Sequence, residues 1–233
     1  MATSVQDRVA ALAGVPCSTV YYWARTGLVL PTVSVEKVKK WSFTDLLVLR
    51  LVDWIRRDKP DISRDVNIPG ASMRTIHQEL ATVTALGERL AVDMTAVRES
   101  FIEDVTRVFV DRKGRLHFGR SGRVWVELGA GVSQELLGTE VDLLRLSLWR
   151  EGIRGPDLRE PRPTLRIVPG KLAGEPHVAR TRIPTEMIAA LDRRGFEQSA
   201  ILELYPSIRR DAVRDAIDLE EQLESNLRHG AAA

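Results

Sequence analysis

A single cysteine, Cys17, leaves the chain unable to close a disulfide within itself. Aromatic residues make up only 6%, so aliphatic side chains must fill most of any core. No apolar run approaches the ~18 residues that a membrane-spanning helix needs. Neither sign of charge dominates, with 34 Lys and Arg against 32 Asp and Glu and a formal net charge of +2. The four histidines, His77, His117, His177 and His229, stand far apart, and none pairs with Cys17 at ligand spacing, so no metal is expected. No phosphate-cradling Gly-rich loop follows a strand, and no nucleophile, acid and base are grouped for catalysis. Neither an enzyme nor a cofactor is therefore expected. The first residues carry Asp7 and Arg8 inside their apolar pattern, unlike a secretory or transit segment, so a cytoplasmic protein is the expectation.

What is present is enough apolar material for a real core: 44% hydrophobic residues against 28% charged. A length of 233 residues points to two domains rather than one. Charge is distributed unevenly along the chain. Residues 1–57 hold eight basic and four acidic side chains, a difference of +4, and residues 211–233 hold two and six, a difference of −4. A basic head suits contact with a polyanion, and an acidic tail suits some other surface.

Val5, Val9 and Leu12 recur at helical spacing, and Gly14 stops that helix. A second short helix runs from about Pro16 to Arg25, with Gly27 as its stop. Val33, Val35 and Val38 beside Lys37, Lys39 and Lys40 have the pattern of a small β-wing. Thr44 is the expected cap of a third, strongly apolar helix ending near Pro60, and Ser72 starts a fourth. From Val105 to Leu128 the residues alternate around Lys113-Gly114 and Ser121-Gly122, as in a short antiparallel meander. Residues 138–150 fit either a short helix or an amphipathic strand. Residues 150–164, rich in Pro, Gly and Arg, have the composition of a linker. Three helical stretches close the chain: Glu186–Arg194, which Thr185 can cap and Gly195 stops, Gln198–Tyr205 stopped by Pro206, and about Arg209–Arg228.

Two short helices around Gly14 describe a helix-turn-helix, with Val9, Ala13, Val15, Val20 and Trp23 facing inward. In such a unit the second helix enters the major groove. The segment from Val9 to Pro31 resembles the MerR-type winged helix-turn-helix through Gly14-Val15, Thr19-Val20, Tyr21-Tyr22 and Gly27-Leu28 with Pro31. Trp41-Ser42-Phe43-Thr44-Asp45-Leu46 and Gly70-Ala71-Ser72-Met73 with Ile76 extend the likeness to roughly residues 5–83. Pro16 stands where that family has a capping Ser, and Ala24 where it has an acidic residue. The resemblance implies DNA contact through Ser18, Thr19, Tyr21, Tyr22 and Arg25, with Lys37, Lys39 and Lys40 on the wing.

Gly174, Pro176, Thr181-Arg182-Ile183-Pro184, Gly195, Ile201 and Tyr205-Pro206 resemble a C-terminal domain of unknown function found in bacterial antitoxins. Arg180 stands where that domain has Gly. The likeness covers about residues 164–220 and implies a small helical, winged-helix-like fold. Together the two segments resemble VapB-type antitoxins, whose partners are PIN-domain ribonuclease toxins. The resemblance implies toxin contact through Arg180, Arg182, Arg209, Arg210 and Arg214, since guanidinium groups suit the acidic metal site of such a nuclease. Val213, Ile217, Leu223 and Leu227 form an apolar stripe that serves either a partner groove or the domain's own core.

The expected protein is mainly α with a small β component (α+β). It divides into a winged helix-turn-helix head at 1–85, a middle segment with β-meander and linker at 86–163, and a helical antitoxin-type domain at 164–233. Its expected partners are operator DNA, a PIN-domain toxin and a second copy in a homodimer, with no membrane. Two other readings stay open: a stand-alone MerR-type regulator answering a small ligand, and a protein-interaction module without DNA binding.

Overall fold

A computed structural model describes residues 5–31, 41–57, 70, 72, 107–111, 116–120, 124–127, 138–145, 149–150, 152–169 and 171–232. The architecture is mainly helical with a smaller β component. Among the described residues, α1 (Val5–Ala13), α2 (Cys17–Thr26) and α3 (Phe43–Ile55) form the head, and α4 (Thr185–Arg193), α5 (Gln198–Leu204) and α6 (Arg210–Ala232) close the chain. Between them run β1 (Arg107–Asp111), β2 (Leu116–Arg120), β3 (Val124–Glu127) and β4 (Gly138–Asp142). They make one antiparallel sheet in the order β3-β2-β1-β4, pairing Phe109 with His117 and with Glu140. Residues 138–150 therefore begin as a strand, turn at Leu143–Arg145, and return in β5 (Trp149–Arg150) against β6 (Ile153–Arg154). A last hairpin pairs β7 (Leu165–Arg166) with β8 (His177–Val178) across a 3-10 turn at Leu172–Gly174. The wing lysines 37, 39 and 40, the helix from Ser72 and both meander turns lie outside the described residues.

The turns around α1 and α2 are set by their glycines. Gly14 takes φ +71°, and Val15 N–H donates to the Ala10 carbonyl, turning the chain from α1 into α2. Gly27, at φ +74°, ends α2 by donating to the Trp23 carbonyl. The cap of α3 is Ser42, not Thr44: its Oγ accepts from Asp45 N–H at 3.2 Å, and Asp45 Oδ2 accepts from Ser42 N–H at 2.6 Å. Nearly all of α3 is buried, so it is the central helix of the molecule.

Arg50 lies within that helix at 0% exposure. Its guanidinium donates to the carbonyls of Leu12 (2.8 Å) and Leu144 (3.1 Å), and to that of Pro156. Three separate segments thus converge on one side chain. The segment read as a linker is part of this packing: Ile153, Gly155, Pro156, Leu158 and Pro161 are buried. Gly14 and Gly155 meet backbone to backbone, since a Cβ on Gly14 would sit 2.6 Å from Gly155 N. Glycine and proline here permit close approach rather than flexibility.

The chain's final helix closes the core. Val213, Ala216, Leu219 and Leu223 of α6 belong to the same buried cluster as Val9, Leu12, Trp23 and Leu47. The apolar stripe on α6 is therefore consumed inside the molecule, with Ile217 and Leu227 half-buried beside it. Thr185 does not cap α4 with its side chain; its hydroxyl donates to the Pro176 carbonyl and to Glu220.

Candidate functional site

Periodicity alone sorts α2 into two faces. Val20, Trp23 and Ala24 point inward and are buried. Ser18, Tyr21, Tyr22 and Arg25 fall at i, i+3, i+4 and i+7, and all four are exposed. Tyr21 is 45% and Tyr22 49% exposed, large apolar surfaces left in water. The Arg25 guanidinium lies 5.9 Å from the Tyr22 ring centre, a cation–π contact that holds it on this face. Tyr21 Oη donates to Asp7 Oδ1 at 3.5 Å, the long limit of a hydrogen bond. Thr19 is half-buried and off the stripe. Arg56, beyond the end of α3, sits 5.8 Å over Trp23 and braces α2 from behind.

The first turn of α2 carries Cys17, half-buried, with its thiol pushed up to about 11 by burial and by the nearby Asp7 carboxylate. A helix N-terminus favours thiolate, yet here desolvation prevails and the group is a poor nucleophile.

The C-terminal arginines divide into two sets. Arg180 and Arg182 lie on the turn between β8 and α4, both exposed. Arg180 adopts φ +63°, so the turn that glycine makes easily is made here by an arginine under strain. Thr181 steadies it, donating from Oγ1 to the Val178 carbonyl at 2.9 Å and accepting from Ile183 N–H at 3.1 Å. Arg210 and Arg214 are exposed one turn apart on α6, and Arg209 just before them is held by Asp211 at 2.9 Å.

What the sequence pattern did not reveal is how the two ends are joined. Arg8 of α1 donates from Nη1 and Nη2 to the two Glu220 oxygens at 2.8 and 2.9 Å, and from Nε to Glu175. Glu220 also accepts the Thr185 hydroxyl, so one buried carboxylate ties α1, α4 and α6 together. Six residues further along α6, Asn226 donates to the Ala11 carbonyl at 3.0 Å and accepts from Arg154 N–H at 2.9 Å. At the end of α6, Gly230 lies against Pro16 and Cys17, the start of α2. No local signal marks Glu220 or Asn226, since both sit in a helix rich in polar residues.

Residues 166–218 match the model of a family described as a protein of unknown function, DUF433, and that match covers only this segment. No curated protein and no solved structure matches the chain.

Proposed function

We propose that the protein is an antitoxin-type repressor, acting in the cytoplasm without catalysis. Its head binds operator DNA as a homodimer, and its C-terminal part holds a PIN-domain ribonuclease toxin. The observation that carries the reading is the outward stripe of α2: Ser18, Tyr21, Tyr22 and Arg25 stand exposed on a helix whose opposite face is locked into the core. A helix presented this way fits the major groove, where Arg reads guanine edges and Tyr and Ser hydroxyls reach phosphates. Two such helices on a dimer would address half-sites about 34 Å apart. For the second task, the DUF433 match over 166–218 supports the likeness of this segment to antitoxin domains. Exposed guanidinium groups at Arg182, Arg210 and Arg214 suit an acidic metal cleft. Arg180 and Arg209 complete the set carried by the resemblance.

The test is a mobility shift with the full chain and a duplex from the region upstream of its own gene. Tyr22→Ala with Arg25→Ala is expected to weaken specific binding by about 1–3 kcal/mol per base-reading contact and to relax sequence preference. Unchanged affinity in a variant whose circular dichroism matches the parent would remove α2 as the reading helix. Toxin control is checked separately by RNA cleavage with the toxin from the adjacent gene. Arg182→Glu should release nuclease activity while leaving the DNA shift intact, and full inhibition by that variant would exclude the turn.

A further inference from the structure

Beside the β7–β8 hairpin the molecule holds a cavity of about 330 Å³. That is the lower end of the range occupied by small-molecule sites, about 300–1,000 Å³. Its lining is apolar at Phe43, which starts α3, and at Leu158 and Ile167. It also carries Arg159, Arg166, Lys171 and Arg180, with His177, and no carboxylate among the described residues lines it. Clustered cations repel one another, so an anion that joins them is favoured.

These cations differ in how far they are already answered. Arg166 pairs with Glu160 at 3.4 Å and donates to the Pro163 and Leu165 carbonyls. Lys171 and Arg180 have no carboxylate partner among the described residues. Backbone strain marks the same two places. The non-glycine residues with positive φ among those described are Leu172, at +50° directly after Lys171, and Arg180, at +63°. Each costs about 1–2 kcal/mol, and strain of this kind concentrates where a side chain must be held for a ligand. A neighbouring, wider cleft shares Arg159 and Arg166 but also carries Asp157 and Glu160, which answer its charge from within.

We infer that this cavity binds a small organic anion, a phosphate monoester or carboxylate bearing an apolar body, with Lys171 and Arg180 on the anionic group and Phe43 against the body. The half-apolar lining favours such a molecule over a bare inorganic ion. Because Phe43 opens α3 beside the Ser42–Asp45 capping box, the bound molecule bridges the head to the C-terminal hairpin. The site is separate from the outward face of α2.

Calorimetry on the full chain tests this with four probes: phenyl phosphate, inorganic phosphate, benzyl alcohol and a Glu-rich peptide. Phenyl phosphate is expected to saturate at one site per chain, inorganic phosphate to bind at least about tenfold more weakly, and benzyl alcohol not at all. Lys171→Gln and Arg180→Gly should each weaken phenyl phosphate at least about tenfold. Arg180→Gly relieves the strained φ, so that variant stays folded. Arg228→Gln, outside the cavity, should change nothing. The inference fails if phenyl phosphate shows no saturation by about 10 mM, if benzyl alcohol binds as well, or if folded Arg180→Gly keeps full affinity. Tighter binding by a Glu-rich peptide that displaces phenyl phosphate would also overturn it, giving the cavity to a partner's side chain.

Discussion

Two side chains show how strongly burial rewrites what a residue type suggests. A cysteine in the first turn of a helix suggests a reactive thiol. Desolvation and Asp7 instead raise Cys17 to about 11, so at neutral pH it stays protonated. Alkylation by iodoacetamide is therefore expected to be far slower than for a free thiol and to rise only as the buffer approaches that value. Asp7→Asn should speed it, and Cys17→Ser should leave DNA affinity unchanged in reducing and oxidising buffers alike. Rapid modification at pH 7 in the folded chain would contradict this. Arg50 is the converse case. A lone arginine in a run of Leu and Val invites assignment to an exposed edge, yet it is fully buried. Burial pushes its pKa down to about 9, with Asp157 opposing that shift. Its worth lies in the three carbonyls that it satisfies, and no spacing in the sequence names carbonyls so distant along the chain.

At the level of elements, local chemistry was a good guide wherever it acts locally. The stops at Gly14, Gly27, Gly195 and Pro206 place four helix ends within a residue or two, because turn geometry is decided by the residues in the turn. Caps were less legible. Thr44 and Thr185 have the right chemistry, but Ser42 reaches Asp45 first, and Glu220 claims the Thr185 hydroxyl from 35 residues away. The segment 150–164 departs from its linker-like composition for the same reason, Gly155, Pro156 and Pro161 being used in tertiary contact. Gly14 and Gly27 allow a sharp test. Both have positive φ, but a Cβ at Gly27 meets nothing within 4 Å, whereas one at Gly14 strikes Gly155. Gly27→Ala should cost about 1 kcal/mol in urea unfolding, the backbone cost alone. Gly14→Ala should cost at least about twice that and displace α1 from α2. Equal losses would mean that the Gly14–Gly155 contact is not tight.

For the whole molecule, the consequential feature is the joining of its first and last helices. Arg8 and Glu220 are both largely buried, with side chains 12% and 5% exposed. Removing one partner strands the other's charge, so Arg8→Ala is expected to cost about 3–5 kcal/mol. Arg8→Met with Glu220→Gln should cost less than the sum of the single changes, as coupled sites do. Additive losses in chemical denaturation would show that the pair does not bind head to tail. This arrangement was illegible in the sequence because the partners lie 212 residues apart, and only the folded core brings them together.

That separation sets a clock on biosynthesis. A ribosome adding about 5–20 residues per second needs roughly ten to forty seconds to travel from Arg8 to Glu220. Throughout that interval the apolar face of α1 waits for a helix that has not yet been made, open to chaperones and proteases. A nascent head is thus an incomplete one, and clipping α6 from the finished protein would return the head to that unfinished condition.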